Sequence, residues 1–290
     1  MKLVSFRTET GLKAGILTDH DTVTQIVLHD AQRGVLGLIE RGQEPAPLMV
    51  DGRLVVHRLG DIEICAPIPL PARNIMCVGK NYREHANEFA ASGYDSGSSV
   101  VVPEFPIIFT KAPTSVCGPG DTVTVPGAVT SEVDYEAEFA VIIGTGGRGI
   151  TKDEAMDHVW GYTLINDLTA RDLQRDHKQW FLGKSLDDFG PMGPFAVSKD
   201  EVDLDELVIT GSVNGELRQK ASAADLIFDV ATLIETISAA VTLQAGDIIA
   251  TGTPAGVGIG FDPARFLVDG DVVEVSATGL GTLVNTISVV

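Results

Sequence analysis

The stretch VDYEAEFAVIIG, residues 133–144, is largely apolar but carries a carboxylate at every second position, Asp134, Glu136 and Glu138. Residues two apart in a β-strand point to the same face, so a strand here would place the carboxylates on one face and the apolar side chains on the other. Like charges side by side destabilise a strand unless solvent, protons or a cation offset their repulsion. A solvated strand face and a cation site are the two interpretations of this stretch.

A second apolar strand favours the cation site. The stretch GYTLIND, residues 161–167, ends abruptly on Asp167. Two glutamates at i and i+2 together with an aspartate at a strand end offer hard oxygen ligands, which suit Mg²⁺ or Mn²⁺ and suit zinc poorly. Three carboxylates would also leave part of an octahedral shell open for water or for a chelating 2-oxo acid. The residues therefore predict a divalent-metal site at Glu136, Glu138 and Asp167.

The formal net charge of the 290-residue chain is −19, with 21 Lys and Arg against 40 Asp and Glu. This charge argues against nucleic acid or an anionic membrane as a partner, because both need a basic surface. No stretch approaches the roughly 18 consecutive apolar residues of a membrane span, and the first residues lack the apolar block of a signal peptide. We expect a cytoplasmic protein. Cys65, Cys77 and Cys117 show no C-x-x-C spacing, which favours structural thiols over disulfides or a zinc site.

The proline-rich stretch CAPIPLPARN, residues 65–74, divides the chain. Its prolines favour an extended linker, so we predict a small N-terminal domain over 1–70 and a larger domain over 71–290. Short apolar runs beside Gly-Asp turns make the larger domain rich in strands. Helical spacing of apolar residues predicts a helix over 229–243, and a second helix is predicted to follow GYTLIND. Glycine and serine gather in 90–103, which indicates a mobile surface segment.

Six motifs give the chain a specific resemblance to the fumarylacetoacetate hydrolase family. In order they are CVGKNYREHANE (77–88), FTKAPTS (109–115), DYEAEFAVIIG (134–144), GYTLINDLTARDLQ (161–174), GKSLDDFGPMGP (183–194) and TGTPAGVG (251–258). The arrangement is similar to prokaryotic acylpyruvases, fumarylpyruvate hydrolases and 2-hydroxyhepta-2,4-diene-1,7-dioate isomerases. The resemblance implies an α+β, β-rich fold, with a C-terminal-type β-roll, a small N-terminal α/β domain and a homodimeric assembly.

The resemblance also assigns the metal ligands. The family's E-x-E pair and following aspartate correspond to Glu136, Glu138 and Asp167, with Mg²⁺ or Mn²⁺ as the expected ion and Ca²⁺ as one that could fill the site in a crystal. Asp134 does not belong to this set and is interpreted as a solvated residue where the strand begins. Its role is an expectation that a structure can test.

The catalytic residues implied by the resemblance are His85, Glu88 and Lys184. His85 and Glu88 are three residues apart, so on a helix they would be neighbours, and a carboxylate beside an imidazole makes a competent base. An exposed helical pair is the alternative. The expected substrate-binding residues are Lys80, Tyr82, Lys111, Arg171, Gln174 and Thr253. Alternatives are surface charge for Lys111, an i, i+4 partner of Asp167 for Arg171, and a glycine-rich turn around Thr253.

The leading hypothesis is a metal-dependent hydrolase that cleaves a C–C bond in an acylpyruvate or a related β-diketo acid. The metal would chelate a small anionic 2-oxo acid, His85 and Glu88 would activate water, and Lys184 would stabilise the enolate. Oxaloacetate decarboxylation and isomerisation of unsaturated 2-oxo diacids are the alternatives at the same site. A nicotinamide-dependent oxidoreductase is a distant third, resting on GTGGRG (144–149), which we interpret as a surface turn. The segment 89–105 is expected to form a lid or a dimer contact.

Overall fold

The computed structural model describes residues 1–28, 30, 33–94 and 101–290. The helices are α1 (Gly34–Glu40), α2 (Arg83–Ala91), α3 (Arg171–His177), α4 (Phe181–Lys184) and α5 (Val230–Ala240). The strands are β1 (Lys2–Thr8), β2 (Gly11–Leu17), β3 (Thr22–Gln25), β4 (Met49–Val50), β5 (Arg53–Leu54), β6 (Val56–Arg58), β7 (Glu63–Cys65), β8 (Ile75–Gly79), β9 (Ile107–Lys111), β10 (Val116–Cys117), β11 (Thr122–Val125), β12 (Val133–Asp134), β13 (Ala137–Ile143), β14 (Val159–Asn166), β15 (Thr169–Ala170), β16 (Gly190–Ser198), β17 (Val208–Val213), β18 (Glu216–Ser222), β19 (Ile248–Ala250), β20 (Val272–Ala277) and β21 (Gly281–Val289). These elements confirm the predicted β-rich α+β class.

One large mixed sheet contains strands from both halves of the chain. Its order is β6-β3-β2-β1-β16-β14-β13-β19-β8-β9, with β7 paired to β1 and β10 paired to β16. The antiparallel pairing of β1 with β16 means that the N-terminal strands extend the sheet that holds the family motifs. The boundary predicted at residue 70 falls in the connection between β7 and β8. As a domain limit it stays a prediction.

A second sheet, in the order β11-β21-β20-β17-β18, covers one face of the large sheet. The buried side chains shared by the two sheets include Phe139, Leu164, Ile209, Val275 and Leu283. On the opposite face of the large sheet, a second buried cluster combines Leu36 and Ile39 of α1 with Ile142 of β13. Because β13 is buried on both faces, most of its sequence is a continuous apolar run without polar alternation.

The strand predicted over 133–144 is interrupted beside the carboxylates. Two residues separate β12 from β13, and two residues separate the facing strands β14 and β15. The backbone amide of Asp167 donates to the carbonyl of Glu136 at 2.9 Å across these gaps. Asn166 Oδ1 accepts from the amide of Glu136 at 3.0 Å. The backbone amides of Glu136 and Asp167 therefore keep hydrogen-bond partners where the strands are interrupted, and the two residues lie side by side.

The predicted helices are present, with one shorter than expected. α5 begins after Asp229, whose Oδ1 accepts from the amide of Thr232 at 2.8 Å, and it ends at Ala240 because Val241 is already extended. α3 follows GYTLIND as predicted. The three cysteines are buried and free. No helix among the described residues is long and apolar enough to cross a membrane, and residues 95–100 of the predicted mobile segment lie outside the described residues.

The glycine-rich GTGGRG stretch is a turn. The amide of Gly147 donates to the carbonyl of Leu243 at 3.0 Å, and the amide of Gly149 donates to the carbonyl of Ser238 at 2.8 Å. The next helical residues, Ala155–His158, form a separate short 3₁₀ turn. A dinucleotide site needs a helix that starts within the glycine motif, so the surface-turn interpretation is confirmed.

Candidate active site

Three carboxylates meet where the hairpin strands are interrupted. Glu136, Glu138 and Asp167 each offer an oxygen, and these oxygens lie within 4.8 Å of one another. All three side chains are buried. Glu138 lies near the start of β13, while Glu136 and Asp167 occupy the facing gaps. The spacing in the sequence thus predicted a cluster that the fold assembles.

Two of the three carboxylates are ion-paired. Lys184 Nζ lies 2.7 Å from Glu136 Oε2 and 2.8 Å from Asp167 Oδ2. Lys111 Nζ lies 2.7 Å from Asp167 Oδ1. Arg171 Nη2 lies 2.8 Å from Glu136 Oε1. Burial of Glu136 favours its neutral form, but Lys184 and Arg171 outweigh that effect and lower the pKa of Glu136 to about 2.

Glu138 forms no ion pair with these cations. Its Oε2 accepts from the amide of Gly252 at 2.7 Å. Burial, followed by the neighbouring charges of Asp167 and Glu136, raises its pKa well above the usual range. A divalent cation would relieve this repulsion, and each carboxylate oxygen keeps a second lone pair for it. The donor set therefore fits a hard divalent ion.

Glycine at position 252 allows the loop to approach Glu138. Gly252 has a φ of +104°, and an added Cβ would lie 2.7 Å from the Cβ of Asn81. Asn81 is buried, and its amide donates to the carbonyls of Thr251 at 2.8 Å and Phe228 at 3.0 Å. Asn81, which lies in the same motif as His85, is thus fixed to the loop that contacts the carboxylate cluster.

His85 and Glu88 form the predicted pair on α2. His85 Nδ1 lies 3.2 Å from Glu88 Oε2, and the imidazole is buried. Glu88 Oε1 accepts from the amide of Gly256 at 2.9 Å, so the carboxylate is held from both sides. The exposed-pair alternative is wrong, because helix α2 turns this face inward. The pair has the geometry of an oriented base.

A narrow cleft brings most of the predicted side chains together. Its lining comprises Val78, Gly79, Lys80, His85, Phe89, Phe109, Glu136, Arg171, Gln174, Trp180, Lys184 and Thr253. Arg171 Nη1 donates to Gln174 Oε1 at 3.1 Å, which fixes both residues on the first turn of α3. The Thr253 hydroxyl donates to the carbonyl of Ala137 at 3.2 Å. The cleft gathers cations and the histidine around one edge of the carboxylate cluster.

Two predicted substrate-binding residues do not line the cleft. Lys111 is fully buried behind Asp167, where its ammonium also donates to the carbonyl of Leu168 at 3.0 Å. Burial lowers the pKa of Lys111 despite the neighbouring Asp167. Its alternative as surface charge is wrong as well. Tyr82 lines a separate depression, together with Arg83 and other residues on the far side of the 251–258 loop.

Asp134 is not the solvated residue expected at the start of the strand. It is fully buried, and its Oδ2 lies 2.9 Å from both Nε and Nη2 of Arg171. Its Oδ1 accepts from the amides of Gly258 at 2.6 Å and Tyr135 at 2.9 Å, and Oδ2 also accepts from Ile259 at 3.2 Å. Burial raises the pKa of Asp134, and Arg171 and Gly258 oppose that rise. Every one of these neighbours is a donor, so the ionised carboxylate fits this position.

This contact also corrects the i, i+4 alternative for Arg171, which pairs with Asp134 and Glu136 instead of Asp167. Sequence reasoning missed a further polar residue, Gln219 of β18, which is fully buried. Its Nε2 donates to Thr253 Oγ1 at 2.8 Å, and its Oε1 accepts from the amide of Ala137 at 3.0 Å. No motif surrounds Gln219, so no signal in the sequence could have found it.

Asp134→Asn is expected to lower the free energy of unfolding by about 3–5 kcal/mol, because it leaves the buried Arg171 without one partner and turns an amide donor toward other donors. Urea denaturation followed by circular dichroism would measure the change. Asp176→Asn is the matched control, since Asp176 pairs with Arg175 at 2.9 Å on the surface. Equal costs for the two substitutions would contradict the structural role of Asp134.

Buried ionisable groups with shifted pKa values beside a cleft are typical of functional sites. Sequence comparison gives the family: the chain belongs to the fumarylacetoacetate hydrolase family, because residues 74–288 match the domain described as Fumarylacetoacetate (FAA) hydrolase C-terminal. This confirms the resemblance seen in the motifs and the fold class that it implied.

Relatives in the family carry several activities in their names. Oxaloacetate tautomerase YisK of Bacillus subtilis is 52% identical over 233 residues, which are 80% of this chain and 75% of that protein. The structure of a fumarylacetoacetate hydrolase from psychrophilic Exiguobacterium antarcticum is 41% identical, with a TM-score of 0.85 and full coverage of both chains. The structure of 2-hydroxyhepta-2,4-diene-1,7-dioate isomerase from Mycobacterium marinum is 31% identical, with a TM-score of 0.78, and the match covers 100% of this chain and 98% of that one.

Proposed function

We propose that this protein is a divalent-metal-dependent enzyme that interconverts the keto and enol forms of oxaloacetate or of a closely similar 2-oxo acid. The observation that carries the proposal is the buried cluster of Glu136, Glu138 and Asp167, of which Glu136 lines a cleft that also contains cations and His85. The 52% identity to an oxaloacetate tautomerase supports tautomerisation over the other enolate reactions.

Positive charges in the cleft would bind the anionic substrate. Glu136, Glu138 and Asp167 would hold Mg²⁺ or Mn²⁺, which when bound polarises the keto oxygen and stabilises negative charge on it. Arg171 supplies positive charge in the same cleft for the carboxylates of the substrate, and Lys184 supplies it for the C2 oxygen. Because both cations are buried and already held by carboxylates, they need little reorganisation when the substrate enters.

The proton transfer belongs to His85. In the keto-to-enol direction the imidazole accepts a proton from carbon 3, and the electron pair of that C–H bond forms the C2–C3 double bond. The π pair of the C2 carbonyl moves onto its oxygen, which takes up a proton from water, and the imidazolium releases its proton to water. Glu88 orients the imidazole through the 3.2 Å contact between its Oε2 and Nδ1 of His85. Lys184 lies in the same cleft to stabilise the negative charge that develops on the C2 oxygen.

Hydrolysis of a C–C bond in an acylpyruvate is the second candidate, favoured by the held His85–Glu88 pair. An oriented base can activate water as readily as it removes a carbon-bound proton. The same stabilised enolate would follow decarboxylation of oxaloacetate or isomerisation of an unsaturated 2-oxo diacid. These reactions share the site and differ in the bond that breaks.

A spectrophotometric screen separates these reactions. With Mg²⁺, the protein is expected to accelerate the keto–enol equilibration of oxaloacetate in proportion to its concentration, by about 10²-fold or more from acid–base catalysis alone. Acylpyruvates and unsaturated 2-oxo diacids are assayed in parallel, and pyruvate release reports cleavage or decarboxylation. Rapid acylpyruvate cleavage without acceleration of the equilibration would overturn the proposal in favour of the second candidate.

The cytoplasmic location, the homodimer and the choice between Mg²⁺ and Mn²⁺ stay predictions. So does the role of the 89–105 segment, part of which lies outside the described residues. Within its described part, Phe89 lines the cleft, whereas the Tyr94 hydroxyl donates to Glu132 at 2.9 Å outside it.

A further inference from the structure

Three aromatic side chains form one side of the cleft, which we name the aromatic wall: Phe89, Phe109 and Trp180. The Trp180 ring stands edge-on to both neighbours, with centroid distances of 6.0 Å to Phe89 and 5.1 Å to Phe109. Edge-to-face pairs of this kind hold aromatic rings in fixed orientations. Trp180 is therefore the central member of the wall, and its position depends on both neighbours.

Gly79 makes room for the Trp180 ring. A Cβ added at Gly79 would lie 2.4 Å from Trp180 Cζ3 and 2.8 Å from Cη2, closer than real contacts allow. Gly79 ends the regular strand β8 and has no positive φ, so backbone conformation does not require glycine here. Glycine at position 79 instead accommodates the close approach of the indole ring.

The wall stands directly beside the cations of the cleft. Lys184 Nζ lies 5.1 Å from the Phe109 centroid, and Lys80 Nζ lies 5.3 Å from the Phe89 centroid. A substrate that reaches Lys184 from the cleft therefore passes beside the aromatic rings. Phe89, Phe109 and Trp180 therefore bound the space that is left beyond the reacting 2-oxo acid group.

We propose that Trp180, seated against Gly79, sets the length of 2-oxo acid that this enzyme accepts. Short 2-oxo acids and diacids of oxaloacetate size fit in front of the wall, whereas acylpyruvates with long or aromatic acyl groups collide with the indole. The inference rests on the proposed function for the reacting group. It adds the residue pair that selects among substrates of that class.

The test measures selectivity. Trp180→Ala is expected to raise the ratio of kcat/KM for a long-chain 2-oxo acid to that for oxaloacetate by about 10-fold or more, because a pocket distinguishes substrates by one or a few methylenes to about this extent. Phe181→Ala is the matched control, since Phe181 is the next residue, is exposed and does not line the cleft. Trp180→Phe should retain most of the wild-type selectivity.

A second experiment tests the contact between Gly79 and Trp180. Gly79→Ala should change the selectivity ratio in the wild-type background and have no effect on it in the Trp180→Ala background, a non-additivity of about threefold or more. An unchanged ratio in Trp180→Ala, or equal effects of Gly79→Ala in both backgrounds, would overturn the inference even where oxaloacetate is turned over.

Calorimetric binding of pyruvate and phenylpyruvate to the Mn²⁺-loaded protein keeps this test separate from the proposed function. Trp180→Ala should strengthen phenylpyruvate binding relative to pyruvate whether or not either molecule is turned over. A selectivity shift in binding without any turnover of 2-oxo acids would contradict the proposed function and support the wall. Turnover of oxaloacetate with no shift in binding selectivity would support the proposed function and contradict the role of the aromatic wall.

Discussion

Glu136→Ala is expected to abolish detectable Mn²⁺ binding and activity together. Glu136 supplies one of the three clustered oxygens, and losing one ligand of a three-carboxylate set should weaken the site by about 100-fold or more, since even outer contacts cost 10–100-fold. Isothermal titration calorimetry measures the affinity, and the oxaloacetate assay measures the activity. Undiminished Mn²⁺ binding would show that the ion lies elsewhere.

Loss of Mn²⁺ binding in Glu136→Ala identifies a ligand only if the variant is folded. Glu136 also contacts Lys184 and Arg171, so its removal leaves two buried cations with fewer partners. Glu136→Gln, which keeps the shape and one acceptor, is the second variant, and a thermal melt checks each protein. Glu154→Ala is the matched control, because Glu154 is exposed and its side chain accepts from the hydroxyl of Thr151 at 2.7 Å, away from the cleft.

His85→Ala should lose activity but keep the metal. We expect full Mn²⁺ affinity and a turnover number lower by about 10²–10⁴-fold, the usual contribution of a general base. His85 lies in the cleft without belonging to the carboxylate cluster, so the metal site should survive its loss. Single-turnover kinetics with saturating Mn²⁺ would measure the effect. An unchanged turnover number would remove His85 from the reaction.

Two variants refine this prediction. Glu88→Gln keeps the 3.2 Å contact to the imidazole but removes the charge, so it should lower turnover less than the loss of His85 does. His20→Ala, a change on the exposed turn before β3, should leave both metal affinity and turnover unchanged. Equal loss in His85→Ala and Glu88→Gln would mean that the charge of Glu88 is essential for the base to act.

The sequence predicted the carboxylate cluster because its cause is local. Alternation along a strand and a charged residue at the end of the next strand both appear directly in the residues, and antiparallel pairing of the two strands does the rest. The interruption of the strands at Glu136 could not be foreseen. It depends on Asn166, whose side chain accepts the Glu136 amide in place of a backbone partner.

The environment of Asp134 could not be predicted for a different reason. A carboxylate at the start of a strand is usually solvated, and its burial here requires Arg171 from α3 and the amides of Gly258 and Ile259 from a distant loop. The same limit applies to Lys111, which approaches Asp167 from behind. Long-range contacts of this kind leave no periodic pattern in the residues around them.

The aromatic wall was missed for the same reason. Gly79 and Trp180 lie far apart in the chain, and neither stands in a motif that assigns it to a ligand. Only the fold shows that one makes space for the other. Of the wall residues, only Phe89 lies in the segment 89–105, which the sequence predicted to form a lid or a dimer contact.

Anomalous diffraction from crystals grown with Mn²⁺ tests the metal site most directly. We predict one strong peak per chain, about 2.1 Å from oxygens of Glu136, Glu138 and Asp167, as hard-ion coordination requires. A peak bound to other side chains, or no peak with Lys184 still held between Glu136 and Asp167, would contradict a metal-centred active site.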